Sequence, residues 1–479
     1  MFKPLSLLAA CSLLLAGCIT VGPDYQRPAL DLPTTLARPV AVTSSADNTD
    51  WRNWWKSFGD PVLNQLLDEA AAHSQDLLLA AGRIEEARAT VSITDAERYP
   101  TVDAALSETR SRLSQKSGQL PPGVNPVSQV TQLGLSAAWE IDFWGKFRRA
   151  DEAARARLLA QETNRGTVLS TLYASVAQNY FALRAYDAQG VLADAALKTR
   201  QDNLRLQQKR LNAGSIGALD MHQAESEVAA AEIIQAQARQ SVSNTEAALA
   251  VLLGRSPAAI SAPVIARGAP IDALYAHVKV PADLPADLVN RRPDILAAEQ
   301  TLRAANADIG QARAAYFPTI KLTSGFGTAS NAFRDLVSPA SMLWNLGANL
   351  VQPVFRAGAI GALVSGAQAR ETQARAQYIS SVQNAFKDVH DALTNLAASE
   401  QIYSASTRRA TALTDSVRLA TLRYDNGYSS YLDVLTAQRD LLQIQSNRID
   451  AERSQLSALV GLYKALGGGW DKPQATMAR

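Results

Sequence analysis

RYDNGYSSYLD, Arg423 to Asp433, repeats the plan of an earlier stretch, RLNAGSIGALD, Arg210 to Asp220. Each opens with Arg, places a glycine four residues on, at Gly427 and Gly214, and closes with Leu-Asp. Other landmarks recur with them. Tyr99-Pro100-Thr101 returns as Phe317-Pro318-Thr319, each after a run rich in Ala and Arg. Pro100 and Gly214 lie 114 positions apart, Pro318 and Gly427 109. Such spacing marks an internal repeat, which has to be found before a fold is read. Repeat one spans 61–265 and repeat two 283–470. A Pro-rich linker, 266–282, joins them, and 471–479 is a tail.

Each repeat changes period. After Pro318, Ile320, Leu322 and Phe326 alternate with Lys321, Thr323 and Gly325. In SMLWNLGANL, Met342, Trp344, Leu346, Ala348 and Leu350 alternate with Asn345, Gly347 and Asn349. Repeat one matches with Leu133, Leu135, Ala137, Trp139 and Ile141, and more weakly with Val102, Ala104 and Leu106, where Glu108 breaks the pattern. Period two predicts strands with one apolar face, two hairpins at about 101–141 and 319–353. Strands of about ten residues can cross a bilayer when tilted. Taken alone, they fit two soluble hairpins equally well.

The remainder reads as long helices. Val382, Val389, Leu396, Tyr403, Ala410, Val417 and Tyr424 sit seven apart, as do Leu435, Leu442, Ile449, Leu456 and Tyr463. Leu169, Val176, Leu183, Leu197, Leu204 and Leu211 keep the same register, with Gly190 as the gap. Strict sevens imply a left-handed supercoil. From Phe147 to Leu211 there is no Pro, which allows a helix roughly 100 Å long. A structural coiled-coil lipoprotein without a pore fits these helices too.

The first seventeen residues, MFKPLSLLAACSLLLAG, carry one basic residue and a short apolar run, the pattern of a signal peptide. Leu15-Ala16-Gly17-Cys18 looks like a bacterial lipobox, so Cys18 is the expected lipidation site. Ile19 after it resembles sorting to the outer membrane. Acyl chains there supply about 0.8 kcal/mol per buried methylene. From Cys18 to Asp60 the chain has no period and reads as extended coil, pinned by Trp51, Trp54 and Trp55.

Composition excludes much else. The 479 residues are 47% apolar and 19% charged, with a net charge of +2, so no nucleic-acid partner is expected. The two cysteines, Cys11 and Cys18, make no disulfide framework. The four histidines lack ligand spacing, and no HExxH, GxSxG, P-loop or GxGxxG occurs. Neither an enzyme, a metal nor a cofactor is expected.

Four membrane strands cannot close a barrel, since single-chain barrels have at least about eight. An open sheet in lipid would leave its edges unpaired. The physics therefore asks for an oligomer and leaves two, three or four copies open. The chain resembles the TolC-like outer-membrane efflux channels, in their lipidated OprM/NodT branch. The resemblance rests on the lipobox, VGPDYQRP (Val21–Pro28), WWKSFGDPVLNQLL (Trp54–Leu67), AERYPTV (Ala96–Val102), WEIDFWGKFRR (Trp139–Arg149), the run Arg291–Ile320, QPVFRAG (Gln352–Gly358) and the two turns. It implies an α+β membrane protein: a homotrimer with a 12-stranded outer-membrane barrel continuous with a periplasmic α-helical barrel. It further implies the exit duct of a tripartite efflux pump. The partners would be outer-membrane lipid, a periplasmic adaptor and an inner-membrane pump of the resistance-nodulation-division type, or of ABC or MFS type. A conduit for protein secretion is the alternative within the same fold.

The two turns would then ring the periplasmic mouth, with Gly214 and Gly427 supplying positive φ. Relatives hold this mouth shut by a Tyr–Asp latch, whose matching positions are Tyr424 and Asp220. Asp220 would serve equally as a helix N-cap. An acidic aperture ring in the family matches Asp433 and, three residues on, Thr436, which is not an acid here. Asp433 would also suit the start of a helix by its charge alone.

Overall fold

The structure is a computed structural model, and it describes residues 20–33, 50–116, 121, 123–276 and 287–472. The signal peptide and Cys18 lie outside the described residues. The helices are α1 Pro61–His73, α2 Gln75–Ala96, α3 Lys146–Asn212, α4 Ala218–Leu252, α5 Pro257–Ser261, α6 Ile271–Ala276, α7 Pro293–Ala314, α8 Ala359–Asp425 and α9 Tyr431–Ala465. The strands are β1 Thr101–Arg112, β2 Val127–Ile141, β3 Thr319–Ser330 and β4 Met342–Val351.

The repeat is visible in the element lengths. Helices α2 and α7 have 22 residues each, α3 and α8 have 67 each, and α4 and α9 have 35 each. The side chain of Trp139 donates to the Arg98 carbonyl at 2.9 Å, and its counterpart Gln352 donates to the Tyr316 carbonyl at 3.0 Å. Each of two compact units nevertheless draws on both repeats. One comprises Ile84–Gln161 and Ala298–Tyr378 with the segment ending at Ala29; the other comprises Leu30–Arg83, Glu162–Ala297 and Ile379–Arg479.

In the first unit the four strands form one antiparallel sheet in the order β1-β2-β3-β4. The repeats are joined because Ile141 pairs with Ile320 and Thr131 with Ser330. The register stacks mostly apolar side chains in rows across one face: Leu106, Leu133, Thr328 and Met342, then Ala104, Leu135, Phe326 and Trp344. The other face carries Asp103, Ser136, Gly325 and Asn345, and beyond them Glu140, Lys321 and Asn349. Most of the apolar row is exposed, including Leu106, Leu135, Phe326 and Trp344. Among the described residues strands β1 and β4 have no neighbour on their outer edges. Among the described residues no helix is long and apolar enough to cross a membrane.

The N-terminal strap is fastened to this unit. Gly22, at φ +113°, crosses Gly310 so closely that an added Cβ would lie 2.4 Å from its Cα. Glu299, almost fully buried, accepts from Tyr25 at 3.3 Å, Arg27 at 3.1 Å and Arg303 at 3.0 Å. Burial pushes the Glu299 carboxyl up, but the bonds from Arg27 and Arg303 bring it below the usual range. Trp144 stacks on Phe317 at 4.6 Å and donates to the Pro318 carbonyl.

In the second unit the expected coil before Asp60 contains a 3-10 turn, Trp54–Phe58, whose aromatics are buried. Trp54 stacks on Tyr463 at 5.4 Å, Trp55 lies 4.5 Å from Tyr173 and Phe58 4.9 Å from Phe181. The linker expected at 266–282 likewise contains a helix, α6. Asp60 draws these pieces together. It caps α1 through Val62 N and Leu63 N, accepts from Tyr180 Oη at 2.6 Å and from Ala269 N at 3.1 Å. Asp60→Ala removes a cap and leaves the proton of the buried Tyr180 hydroxyl, which still accepts from Gly268 N, without its acceptor, so it should cost about 3 kcal/mol. Thermal unfolding of the purified variant should start at a clearly lower temperature; an unchanged profile would contradict this role.

Candidate channel gate

Both repeated turns are built identically. At the end of α3, Ser215 N donates to the Arg210 carbonyl at 2.8 Å and Gly214 N to that of Leu211. At the end of α8, Tyr428 N donates to Arg423 at 2.8 Å and Gly427 N to Tyr424. This six-to-one closure uses up helix-end carbonyls and needs a left-handed residue. Gly214 and Gly427 supply it, with φ of 69° and 76°. Neither has an atom within 4 Å of an added Cβ, so backbone strain alone selects glycine. Helices α4 and α9 each start four residues after their glycine.

Around the turns four helices converge. Ala224 of α4 and Tyr431, Val434 and Leu435 of α9 form a buried apolar cluster, packed by Leu204 of α3 and by Ala420 and Tyr424 of α8. Tyr424 lies 5.3 Å from Tyr431, ring to ring. Its hydroxyl donates to Gln207 Oε1 at 3.2 Å, and the Gln207 amide also bonds the Tyr431 hydroxyl. Arg210 sits over the Tyr424 ring at 5.1 Å and donates to Asp425 Oδ1 at 3.0 Å. That bond to Asp425 holds the guanidinium above its ordinary range.

The residues singled out from sequence fall as follows. Tyr424 is at the junction of the helices, but its partner within the chain is Gln207 rather than Asp220. Asp220 is the third residue of α4 and only partly exposed; the N-cap there is Gly217, so Asp220 is not the cap. Asp433 is exposed and closes a capping box, its Oδ2 accepting from Ser430 N at 3.1 Å. Thr436 is exposed and donates back to the Leu432 carbonyl at 2.9 Å.

Sequence reading missed a buried charge cluster one to two helical turns further along. Glu227 of α4 accepts from Arg439 Nε of α9 at 2.7 Å and faces Arg200 Nε of α3 at 3.4 Å. Arg200 also donates to Gln438. Burial pushes the Arg200 guanidinium down, whereas the Glu227 bond holds Arg439 up. The signal was present. Arg200 and Gln207 each lie three residues past an apolar seven-residue position, Leu197 and Leu204, where a two-helix seam places its second row of core residues.

Known proteins agree with this architecture. The family described as Outer membrane efflux protein matches residues 66–255 and 284–468. The cation efflux system protein CusC of Escherichia coli O6:H1 is 35% identical over 472 residues, covering 98% of this chain and all of its own. The toluene efflux pump outer membrane protein TtgI of Pseudomonas putida is 36% identical over 481 residues, covering 99% of each. The open-state structure of the Neisseria gonorrhoeae MtrE outer membrane channel superimposes with a TM-score of 0.82 at 31% identity, covering 95% of this chain and 99% of its own.

Proposed function

Since the chain belongs to the outer membrane efflux protein family, and is therefore an outer-membrane efflux channel, we propose how its parts conduct and close. The observation that carries the reading is the four-stranded sheet with one apolar face and two unpaired edges. In lipid those edges must be satisfied, and only closure against other copies does so. Three copies supply the twelve strands of the family's barrel.

The internal repeat specifies how the seam is made. Residues of β2 have counterparts in repeat two 213 positions on, as Lys146 and Ala359 show, and residues of β3 have counterparts 218 positions back, as Pro293 and Gln75 show. Ala137 pairs with Ser324. Their counterparts, Leu350 of one copy and Leu106 of the next, should therefore face each other, and Val354 should face Val102. Even-numbered residues meet even-numbered residues, so the apolar face continues across the seam. Val354 and Phe355, 94% and 84% exposed in the single chain, lie where this neighbour arrives.

The reading continues at the turns. Three pairs of tips ring the periplasmic mouth, and contacts of Tyr424 hold it shut in the resting state. Within the chain the Tyr424 hydroxyl meets Gln207; in the assembled mouth Asp220, at the start of α4, is the acid that the closed latch engages. Three Asp433 carboxylates around one axis, each with an oxygen not used by the capping box, favour cations, with Thr436 below adding no charge. An adaptor and an inner-membrane pump of the resistance-nodulation-division type spread the tips and supply the energy. Relatives named for cations and for toluene support small toxic compounds as cargo. Cys18 anchors the chain through acyl groups, and the strap from Val21 to Pro28 carries that anchor to α7.

Leu350→Cys with Leu106→Cys, in a chain whose other cysteines are the signal-peptide Cys11 and the lipidated Cys18, should oxidise to a chain-linked trimer on denaturing gels. Leu346→Cys with Leu106→Cys, four residues out of register, should not; the reverse pattern would refute this seam. Tyr424→Phe should raise single-channel conductance in planar bilayers several-fold. Asp433→Asn should shift the reversal potential in a KCl gradient toward zero, and an unshifted potential would remove Asp433 from the aperture.

A further inference from the structure

The cluster of Arg200, Glu227 and Arg439 is absorbed by neither the turns nor the apolar seams. Its burial is costly. Glu227 is 5% exposed and Arg200 6%, and two guanidiniums share one carboxylate. A buried ion cluster seldom adds net stability over well-packed apolar residues, so its retention calls for another role. Polar residues at single core positions of a coiled coil characteristically set which helices pair and in what register. Here Arg200 and Glu227 stand at equivalent seam positions, three past Leu197 and three past Ala224; on α9 that position is Gln438, which accepts from Arg200 and adjoins Arg439.

The cluster is also connected to the turns. From the end of α8 the contacts run from Tyr424 to Gln207 of α3, from Gln207 to Tyr431 of α9, and from Tyr431 to the buried Ala224 of α4, three residues before Glu227, which meets Arg200 and Arg439. Beside the cluster an open pocket of about 510 Å³, lined by Arg200, Glu227 and Arg439 together with Ala193, Ala231 and Leu442, lies between the three helices. The ion cluster ties α9 to α3 and α4 at this level, since the Glu227 carboxylate on α4 meets Arg200 of α3 and Arg439 of α9.

We propose that Glu227 is a positioning residue of the gate: bridging Arg200 and Arg439, it locks α9 against α3 and α4, and the mouth opens only when Arg439 leaves Glu227. This rests on reading the tips as the closed mouth. Arg439 is the member to remove first, because its side chain is half exposed and Glu227 keeps Arg200 when it is gone.

The test compares Arg439→Gln, Glu227→Gln, their double variant and Tyr424→Phe, each first shown to be a folded trimer on mild gels, in single-channel recordings. Arg439→Gln should raise the open fraction about tenfold, the factor one charge-assisted bond supplies. Glu227→Gln should do at least as much, and the double variant no more than Glu227→Gln, because the two act through one contact. Arg439→Lys, which keeps the charge, should stay near wild type. If Tyr424→Phe opens the channel and Arg439→Gln does not, the lock is refuted and the tip gate stands. If neither variant changes the current, both readings fail. A lowered melting temperature with unchanged current would make the cluster merely structural, and would also refute the lock.

Discussion

A peptide group in hydrocarbon has no water to bond, and each one left unpaired costs several kcal/mol. That constraint governs this chain. Its four strands pair internally through β1-β2-β3-β4 and leave two edges open. The apolar rows from Leu106 to Met342 and from Ala104 to Trp344 make one face fit for lipid. The same register sets Asp103, Asn345, Glu140 and Lys321 on the other face, fit for water. A sheet so made has no stable single-chain state in a membrane, and the oligomer follows from backbone chemistry rather than from any special interface motif.

The repeat turns that requirement into a specific answer. One chain already contains the join between its two halves, at Ile141 with Ile320, and the proposed seam between copies repeats that geometry. The two junctions differ in a telling way. The first is covered within the chain, where Trp144 stacks on Phe317. The second, at Val354 and Phe355, is bare. Duplication has given the chain one seam filled and one seam waiting.

Much of this was legible in the sequence because strands, turns and apolar seams leave periodic marks. Gly214 and Gly427 announced left-handed helix ends, and the alternation in SMLWNLGANL announced β4. The weak β1 was legible only at its apolar start; Glu108 and Arg110 belong to the end of the strand where polar residues take over. The polar contacts inside the helix bundle were hidden for a different reason. Gln207, Arg200 and Glu227 are residue types that normally face water, and only their phase, three past an apolar position, shows that they are turned inward. Hydrogen-bond partners are harder still. That Tyr424 meets Gln207 depends on the relative rotation of two helices from different repeats, which spacing along either helix does not encode. The capping box of Asp433 is legible too, since Ser430 precedes it by three; the family's acidic ring and the charge of a helix start point to the same residue without naming that bond.

The closure of the sheet by other copies is the claim on which the rest stands, and the most direct measurement is native mass spectrometry of the lipidated protein extracted in mild detergent. A single dominant species of three chains is the predicted result. A stable monomer, or a dimer as the main species, would contradict it, because neither supplies twelve strands to close the sheet.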